Sequence, residues 1–414
     1  MNLVITGTGV VSPVGIGKDA FQASIIRGGA SVRGSATQDV SRSKIGCRVA
    51  RVADFDFGAL FPDRRFRRAA VSTQYALVAA AQALEEAGLD LSTYDGRRVG
   101  VVCGVTHGAL GYSCDFHKGF STEGPLGASP VLFSDSVLNA STGALSLAFG
   151  IKGPSHTLVG GPDVGVQAIE YGAELVKGGK VDTCLVVSSE ALHERIVEAY
   201  LKLGFGADKG DGLPIFGEGA GAVVIERGEV AEGRLDVEGR LDAEGRLDVE
   251  GRLNAEGRLN AEGRLNAEGR GVKVVAELAS AITMVAPEVD EALRGVTGQA
   301  LKEAGLSGSD ITGVISGGGS EGLEAGLIGD LLSEAMHFPS VTELVGEAFC
   351  AGTLMNVVAA TFLVNEGPVV VESLGAGPGT EGRQLAATLG QERNILFLTG
   401  GHRKEAGCLI LKRP

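Results

Sequence analysis

The stretch best suited to chemistry is residues 153–169, which read GPSHTLVGGPDVGVQAI. An apolar run, a Gly-Gly turn and a segment able to start a helix follow one another, as in several enzyme families that present a nucleophile there. A cysteine at such a helix start has a lowered pKa. Pro162 lies at the head of this helix and has no nucleophilic atom. Because proline is accepted at the first helical position, we predict a helix start that is kept without its nucleophile.

Other candidate nucleophiles and bases are scattered along the chain. The six cysteines lie singly and form no CxxC pair, which indicates neither a metal site nor a disulfide framework. His107 lies in GVTHGALG, and His156 lies in the apolar run before the Gly-Gly turn. Neither histidine has a partner at a recognisable spacing, so a direct role and a structural role both stay open for each. We expect no cofactor and no metal.

Strands and helices must position these residues, and in this chain they alternate. Apolar, β-branched runs of strand length are each followed by stretches with helical apolar spacing. This alternation predicts an α/β fold with a largely parallel sheet and helices on both faces. The first half provides strands at 2–7, 98–105, 156–159, 181–188 and 219–226 and helices at 66–88, 137–149 and 163–178.

The second half repeats this order of elements, which suggests an internal duplication. It provides strands at 272–281, 312–316, 394–399 and 407–412 and helices at 288–305, 322–336 and 352–365.

A hexapeptide repeat, EGRL[DN][VA], separates the two halves. We therefore divide the chain into an N-terminal half at 1–227, an insertion at 228–271 and a C-terminal half at 272–414. The recurrent glycine disfavours a helix. The insertion is either an expanded surface loop, since closure entropy grows slowly with length, or an interaction arm built of short strands.

Four motifs, in order along the chain, resemble the β-ketoacyl synthases of the thiolase-like superfamily. They are VITGTGVVSPVG near the start, FRRAAVSTQYALVAAAQAL, GDGLPIFGEGAGAVVIE at 210–226 and LTGGHRKEAGCLIL at 398–411. In the last motif, Leu398 and Thr399 replace the usual Gly-Phe. The resemblance implies a thiolase-like five-layer αβαβα fold made of two duplicated α/β halves.

In that family a Cys-His-His site does the chemistry. The cysteine carries the acyl chain, and two histidines stabilise the enolate left when a malonyl unit loses carbon dioxide. Here the cysteine position falls on Pro162, the first histidine position on Gly317 and the second on Glu347. The only histidine between residues 194 and 401 is His337, away from all three. The resemblance therefore implies a degenerate site with no catalytic residue.

Two residues near the second histidine position could substitute for the missing groups. Cys350 lies three residues beyond it, and we expect it inside a helix as a small core residue rather than at a helix start. Glu347 could cap a helix start, pair with a basic group or act in acid–base chemistry. We favour the cap or the pair.

The segment at 346–369, GEAFCAGTLMNVVAATFLVNEGPV, resembles the chain length factor, the non-condensing partner of ketosynthases in type II polyketide synthases. This resemblance implies a heterodimer with an active ketosynthase, an acyl carrier protein that carries the growing chain, and an acyl tunnel across the seam between subunits. Leu110, Tyr112 and Phe116 are candidates to line that tunnel, or else core residues of their helix. Many such factors carry glutamine where this chain has Pro162, which puts glutamine-assisted decarboxylation in doubt.

Charge and hydropathy limit the alternatives. The formal charge of −14 argues against nucleic-acid binding. No secretory signal or apolar run long enough to span a bilayer is visible, so we expect a cytoplasmic protein without membrane contact. Two rival functions remain: a stand-alone acyltransferase or hydrolase using His107, Cys114 or Cys350, and a homodimeric acyl-binding scaffold.

Overall fold

The computed structural model covers both halves of the chain with gaps between elements. It describes residues 2–26, 40–42, 47–91, 94–205, 215–231, 274–317, 330–332, 335–338, 340–365, 369–372, 384–387, 393–400 and 405–414.

Strands account for much of both halves. They are β1 Leu3–Ser12, β2 Gly15–Ile16, β3 Val40–Arg42, β4 Arg48–Ala50, β5 Val99–Val105, β6 Ser155–Val159, β7 Thr183–Glu190, β8 Ile215–Gly217, β9 Gly219–Arg227, β10 Ala276–Val285, β11 Gly313–Ser316, β12 Met336–Phe338, β13 Val369–Glu372, β14 Gln384–Ala387, β15 Asn394–Gly400 and β16 Glu405–Lys412.

Helices connect most of these strands. The α-helices of the described residues are α1 Lys18–Ile26, α2 Phe57–Leu60, α3 Val71–Glu86, α4 Leu110–Glu123, α5 Pro130–Ser136, α6 Ala140–Phe149, α7 Val164–Lys177, α8 Glu194–Lys202, α9 Val289–Ala304, α10 Val341–Val345 and α11 Phe349–Asn365.

The same strand order appears twice, as the predicted duplication requires. The first half has the order β6-β5-β7-β9-β1, and the second half has β12-β11-β15-β16-β10. In both halves the three strands farthest from the centre run parallel, and the two nearest it pair antiparallel. The halves meet through a short antiparallel pairing of β1 with β10.

Helices form three layers around the two half-sheets. Helix α3 packs on β1 and β9 at one outer face, and α9 packs on β10 and β16 at the other. Between them, α7 and α11 contact strands of both halves. The five layers of the predicted αβαβα arrangement are therefore present. Because both faces of β1 are covered, all of its residues are buried.

Glycines in the first motif let α3 approach β1 closely. A Cβ at Gly7 would lie 1.9 Å from the carbonyl oxygen of Ala83, and one at Gly9 would lie 1.9 Å from that of Ala79. No larger residue fits there without moving the helix. The glycines of VITGTGVVSP and the alanines of AAAQAL thus form the close contact between β1 and α3.

Several element boundaries differ from the predictions. The first strand continues to Ser12, and the helix expected at 352–365 begins earlier, at Phe349. The helix expected at 322–336 lies largely outside the described residues, and Met336, its expected end, starts strand β12. Gly88, predicted to end α3, follows it with a φ of 63°, as a terminal glycine should.

The hexapeptide insertion lies almost wholly outside the described residues, which resume at residue 274 after residue 231. The proposed boundaries at 1–227, 228–271 and 272–414 therefore stay predictions.

Candidate functional site

Pro162 lies in the turn between β6 and α7. The N–H of Gly160 donates to the carbonyl of Val105 at 3.2 Å, which ties this turn to the end of β5. Helix α7 begins at Val164, with Asp163 as its N-cap residue. Pro162 is therefore two residues before the first helical position, and the prediction that it occupies that position is wrong. The residue at the predicted nucleophile position is thus a turn residue, and its carbonyl group makes a contact described next.

The carbonyl oxygen of Pro162 accepts a hydrogen bond from the Oγ1 hydroxyl of Thr353, on α11, at 2.6 Å. Thr353 also packs against the start of α7, since a Cβ at Gly165 would lie 2.7 Å from its methyl carbon. The two helices of the central layer are thus joined at the family's cysteine position.

Gly317, at the first histidine position, has no room for a side chain. Its N–H donates to the carbonyl of Leu398 at 2.7 Å. A Cβ there would lie 2.8 Å from both Cβ and Oγ1 of Thr399. Thr399 thus occupies the space into which a side chain at position 317 would project.

Glu347, at the second histidine position, is held by both its backbone and its carboxylate. Its N–H donates to the carbonyl of Ile215 and its carbonyl accepts from the N–H of Gly217, each at 2.8 Å. Its carboxylate accepts from the N–H of Phe349, the first residue of α11, at 2.8 Å. It therefore caps the helix start, one of the two structural roles favoured from the sequence.

Cys350 lies in the first turn of α11, so the expectation that it sits away from a helix start is wrong. The helix dipole does not activate it. Burial, followed by the negative charge of Glu190, raises the pKa of the Cys350 thiol well above its usual range. The thiol donates to the Glu190 carboxylate at 3.2 Å. The sulfur is held as a thiol and is a poor nucleophile.

Glu190 is the centre of a polar network at the end of β7. One carboxylate oxygen accepts from the backbone N–H groups of Thr106 and His107, at 2.7 and 3.0 Å, and from the Cys350 thiol. The other oxygen lies 3.2 Å from Nδ1 of His107. Nε2 of the same imidazole lies 3.2 Å from the Tyr200 hydroxyl. These donors satisfy a carboxylate whose side chain is only 2% exposed.

The Phe349 ring completes this group. It lies edge-on to the His107 ring, with 4.4 Å between ring centroids, and 4.9 Å from the Tyr200 ring. Its φ of 52° is left-handed, which costs a non-glycine residue about 1–3 kcal/mol. The packing and the Glu347 cap hold Phe349 in this strained conformation.

The three candidate tunnel residues do not form one group. Leu110 packs against the buried cluster that includes Phe216 and Phe349. The Tyr112 hydroxyl donates to the carbonyl of Arg68 at 2.9 Å. Phe116 lies 5.5 Å, centroid to centroid, from Phe133 on α5. Their place in a tunnel stays a prediction.

His156 lies apart from this network. Its ring packs 5.0 Å from that of Tyr171 on α7, and Nε2 lies 3.5 Å from the tyrosine hydroxyl. It therefore does not take part in the arrangement around Pro162.

Sequence reasoning did not find Glu190, Tyr200 or Phe349. The strand containing Glu190 was expected to end at Ser188, but it continues to Glu190. An acidic residue directly after the apolar run CLVVSS could have indicated a buried carboxylate with partners.

At the three positions predicted from the sequence, Pro162 accepts a hydrogen bond from Thr353, Gly317 lies against Thr399, and the Glu347 carboxylate caps α11. That these are the family's catalytic positions stays a prediction. Within the part of the chain that the structure describes, no group of three or more His, Cys, Asp or Glu residues could hold a metal ion. Among the same residues, no helix has the length and apolarity to cross a membrane.

Comparison with known proteins identifies relatives of the first half. The family profile described as "Beta-ketoacyl synthase, N-terminal domain" matches residues 2–231. The 3-oxoacyl-[acyl-carrier-protein] synthase 2 of Coxiella burnetii is 27% identical over 253 residues, 56% of this chain and 59% of that protein. The polyketide biosynthesis malonyl-ACP decarboxylase PksF of Bacillus subtilis is 31% identical over 255 residues, 55% of this chain and 58% of the relative. The alignments thus span less than two thirds of these relatives.

Solved structures match along the whole chain. The ishigamide ketosynthase/chain length factor aligns over 99% of both chains with a TM-score of 0.71 and 21% identity. A β-ketoacyl synthase from Burkholderia phymatum aligns over 100% of this chain and 99% of its own, with a TM-score of 0.73 and 18% identity. At these identities the likeness shows the fold, and it confirms the predicted thiolase-like architecture.

Proposed function

The chain belongs to the β-ketoacyl synthase family, and from that membership we propose that it is a chain length factor-like, non-condensing subunit. It would pair with an active ketosynthase and shape the tunnel in which an acyl carrier protein-bound polyketide or polyene chain grows by decarboxylative Claisen condensation. Six free thiols in the described residues suit a reducing compartment, and the complex would work in the cytoplasm.

The observation that carries this proposal is the set of structural contacts made at the three predicted catalytic positions. Pro162 accepts a hydrogen bond from Thr353, position 317 has no side-chain space, and Glu347 caps α11. Each position is used to support the fold.

A sheet edge with which no other described strand pairs supports a partner subunit. Strand β6 is the last strand of its half-sheet, and Val159 on it is 55% exposed. Nearby apolar side chains are similarly open, including Leu147 at 61% and Phe133 at 56%. An open edge strand flanked by apolar residues favours pairing with another chain. We propose that the occupant is the ketosynthase, because the matching ishigamide structure is a ketosynthase/chain length factor.

The tunnel would run past α4, which carries Leu110, Tyr112 and Phe116. Helix α4 has no fully buried residue in the single chain, although 14 residues long. A helix this open is available to line a shared cavity once a partner covers it. We propose that the acyl carrier protein docks on the complex; one matching structure contains a type II acyl-carrier protein with its ketosynthase.

The experiment compares the chain alone with the chain co-purified with a ketosynthase from the same host. We expect no condensation of malonyl and acyl thioesters on acyl carrier protein by the chain alone. We expect condensation by the pair, with the ketosynthase alone and a pair lacking the ketosynthase cysteine as controls. Condensation by the purified single chain would overturn the proposal, and a lone homodimer in the native host would favour the acyl-binding scaffold.

One observation favours a second candidate, a stand-alone acyltransferase or hydrolase. Cys350 and His107 contact the same carboxylate of Glu190, which brings a thiol and an imidazole into one network. The carboxylate accepts from the thiol, and burial, together with the charge of Glu190, raises the pKa of Cys350. Since a nucleophile requires the thiolate, this geometry supports the non-condensing role better.

A further inference from the structure

Three aromatic rings pack together near the turn that contains Pro162, the predicted cysteine position. We define the His107 block as His107, Tyr200 and Phe349. Its ring centroids lie 4.4 Å apart for His107 and Phe349, 4.9 Å for Tyr200 and Phe349, and 5.5 Å for His107 and Tyr200. The rings come from the end of β5, helix α8 and the head of α11, so the block joins three separate elements.

Polar contacts fix the block in position. Glu190 accepts from the backbone N–H of His107 and contacts its Nδ1, while the Tyr200 hydroxyl contacts Nε2. Both ring nitrogens of His107 are therefore occupied. The carboxylate also accepts from two further donors, the Thr106 N–H and the Cys350 thiol. A side chain tied at so many points cannot swing aside without leaving buried polar groups unpaired.

The block lies next to position 162. Gly160, two residues before Pro162, donates to the carbonyl of Val105, two residues before His107. Thr353, which donates to the Pro162 carbonyl, lies four residues after Phe349 on α11. Residues four apart occupy one face of a helix, about one turn from each other. Phe349 is therefore about one turn of α11 from the residue that contacts the Pro162 carbonyl.

We infer that the His107 block closes the space beside position 162 to acyl chains, so that this subunit's own degenerate site cannot house one. The site is then blocked twice, by loss of the nucleophile and by occupation of the space that an acyl group bound there would need. The inference deepens the proposed function and rests on it: a growing chain in the shared complex would enter only from the partner's nucleophile.

The test places a thiol where the family has its cysteine and measures which reagents reach it. The full-length chain carrying Pro162→Cys is treated with iodoacetamide or with N-dodecyl iodoacetamide, and labelling at position 162 is followed by peptide mass spectrometry. With the block intact, we expect the dodecyl reagent to label at least about tenfold more slowly than iodoacetamide, because a close-packed interior has no room for the alkyl chain.

Removing rings from the His107 block should remove the difference in labelling rate between the two reagents. Phe349→Gly deletes one ring and relieves the left-handed backbone, and His107→Ala deletes a second. Added to Pro162→Cys, the two changes should bring the two labelling rates to within about threefold, since the alkyl chain then has space. Phe205→Ala is the matched control, since Phe205 packs 5.9 Å from Tyr200 but forms no described ring contact with His107 or Phe349.

The labelling results either support the closed site or overturn it. Equal labelling by both reagents with the block intact would overturn the inference. An unchanged ratio after Phe349→Gly and His107→Ala would also overturn it, as would labelling by neither reagent in either form. Thermal unfolding of every variant identifies any that is not folded, and the Phe205→Ala control separates ring loss in general from loss of the block. The assay needs no ketosynthase, so its result is independent of whether the proposed pairing holds.

Discussion

Thr353 Oγ1 donates a hydrogen bond to the carbonyl oxygen of Pro162 at 2.6 Å, between residues 191 apart in the chain. Pro162, at the predicted cysteine position, thus contributes its backbone to the contact between α7 and α11. The only other described donor near this carbonyl is the N–H of Gly165, at a long 3.4 Å. The hydroxyl of Thr353 is therefore its principal partner.

Replacing this hydroxyl should destabilise the fold. Thr353→Val keeps the side-chain shape and leaves the Pro162 carbonyl without its main donor, which should cost about 1–3 kcal/mol of unfolding free energy. Urea unfolding followed by circular dichroism measures it. The control is Thr361→Val on the same helix, whose hydroxyl donates to its own helix at Val358, and which should cost less than about 1 kcal/mol. Equal losses for both variants would contradict the assigned role of Thr353.

Cysteine labelling should be restricted to one residue. Burial raises the pKa of Cys103 to about 12, and that of Cys350 well above its usual range. Of the six cysteines only Cys114 is not fully buried. Iodoacetamide at pH 8 should therefore label Cys114 in the native protein and all six in urea. Rapid native labelling of Cys350, with loss of an activity, would support the stand-alone enzyme.

The partly buried ion cluster around Asp182 should make the free energy of unfolding depend on pH. Hydrogen bonds from Arg98, and then from Arg227, hold the pKa of Asp182 below its usual value. The folded pKa is depressed, so the stabilisation is present above the unfolded value of ~3.9 and is lost as pH falls through the folded value. Asp182→Asn should lower the unfolding free energy by about 1 kcal/mol at pH 7. The difference in unfolding free energy between this variant and the unmodified chain should shrink below pH ~3.9. The Asp182 carboxyl becomes neutral first in the unfolded state and then in the folded state as the pH falls.

The control for this prediction is Asp290→Asn. Asp290 pairs with Arg294 one helical turn away, with both side chains more than 40% exposed. Such surface pairs contribute less than about 0.5 kcal/mol, so this variant should change stability little at either pH. If the loss of unfolding free energy caused by Asp182→Asn grew as the pH falls, the result would contradict the proposed ion cluster.

The proposed partner surface predicts a selective loss of pairing. Val159→Asp places a charge on the open edge strand β6, where a partner strand would desolvate it, so co-purification of the ketosynthase should fall at least about tenfold. Val285→Asp is the control, because Val285 is 70% exposed but belongs to β10 in the other half. Loss of the ketosynthase with both variants, or with neither, would remove β6 as the docking edge.

The tunnel proposal predicts a change in product length. Tyr112→Ala removes a ring from α4 and its hydrogen bond to Arg68, on the exposed side of the chain. If Tyr112 closes the far end of the shared tunnel, the heterodimer should release a longer product by mass spectrometry, with Leu126→Ala as an exposed control. Unchanged product length from an intact heterodimer would take Tyr112 out of the tunnel.

The sequence alone determined the fold class and the duplicated order of strands and helices, and it predicts the loss of the catalytic cysteine and histidines. These properties follow from local signals. Periodicity, helix formers and turn residues act over a few positions, and a missing side chain is visible without its neighbours. The sequence predicts a strand and a helix within residues 153–169, and the structure has β6 and α7 there.

Only the tertiary structure decided which contacts the residues at the predicted catalytic positions make. Cys350 and Glu190 are 160 residues apart, and Pro162 and Thr353 are 191 apart. These contacts depend on the strand order of the first half and on how α11 inserts between the halves. No periodicity in the chain encodes that arrangement, because a side chain's partner is set by the packing of whole elements rather than by its neighbours in sequence.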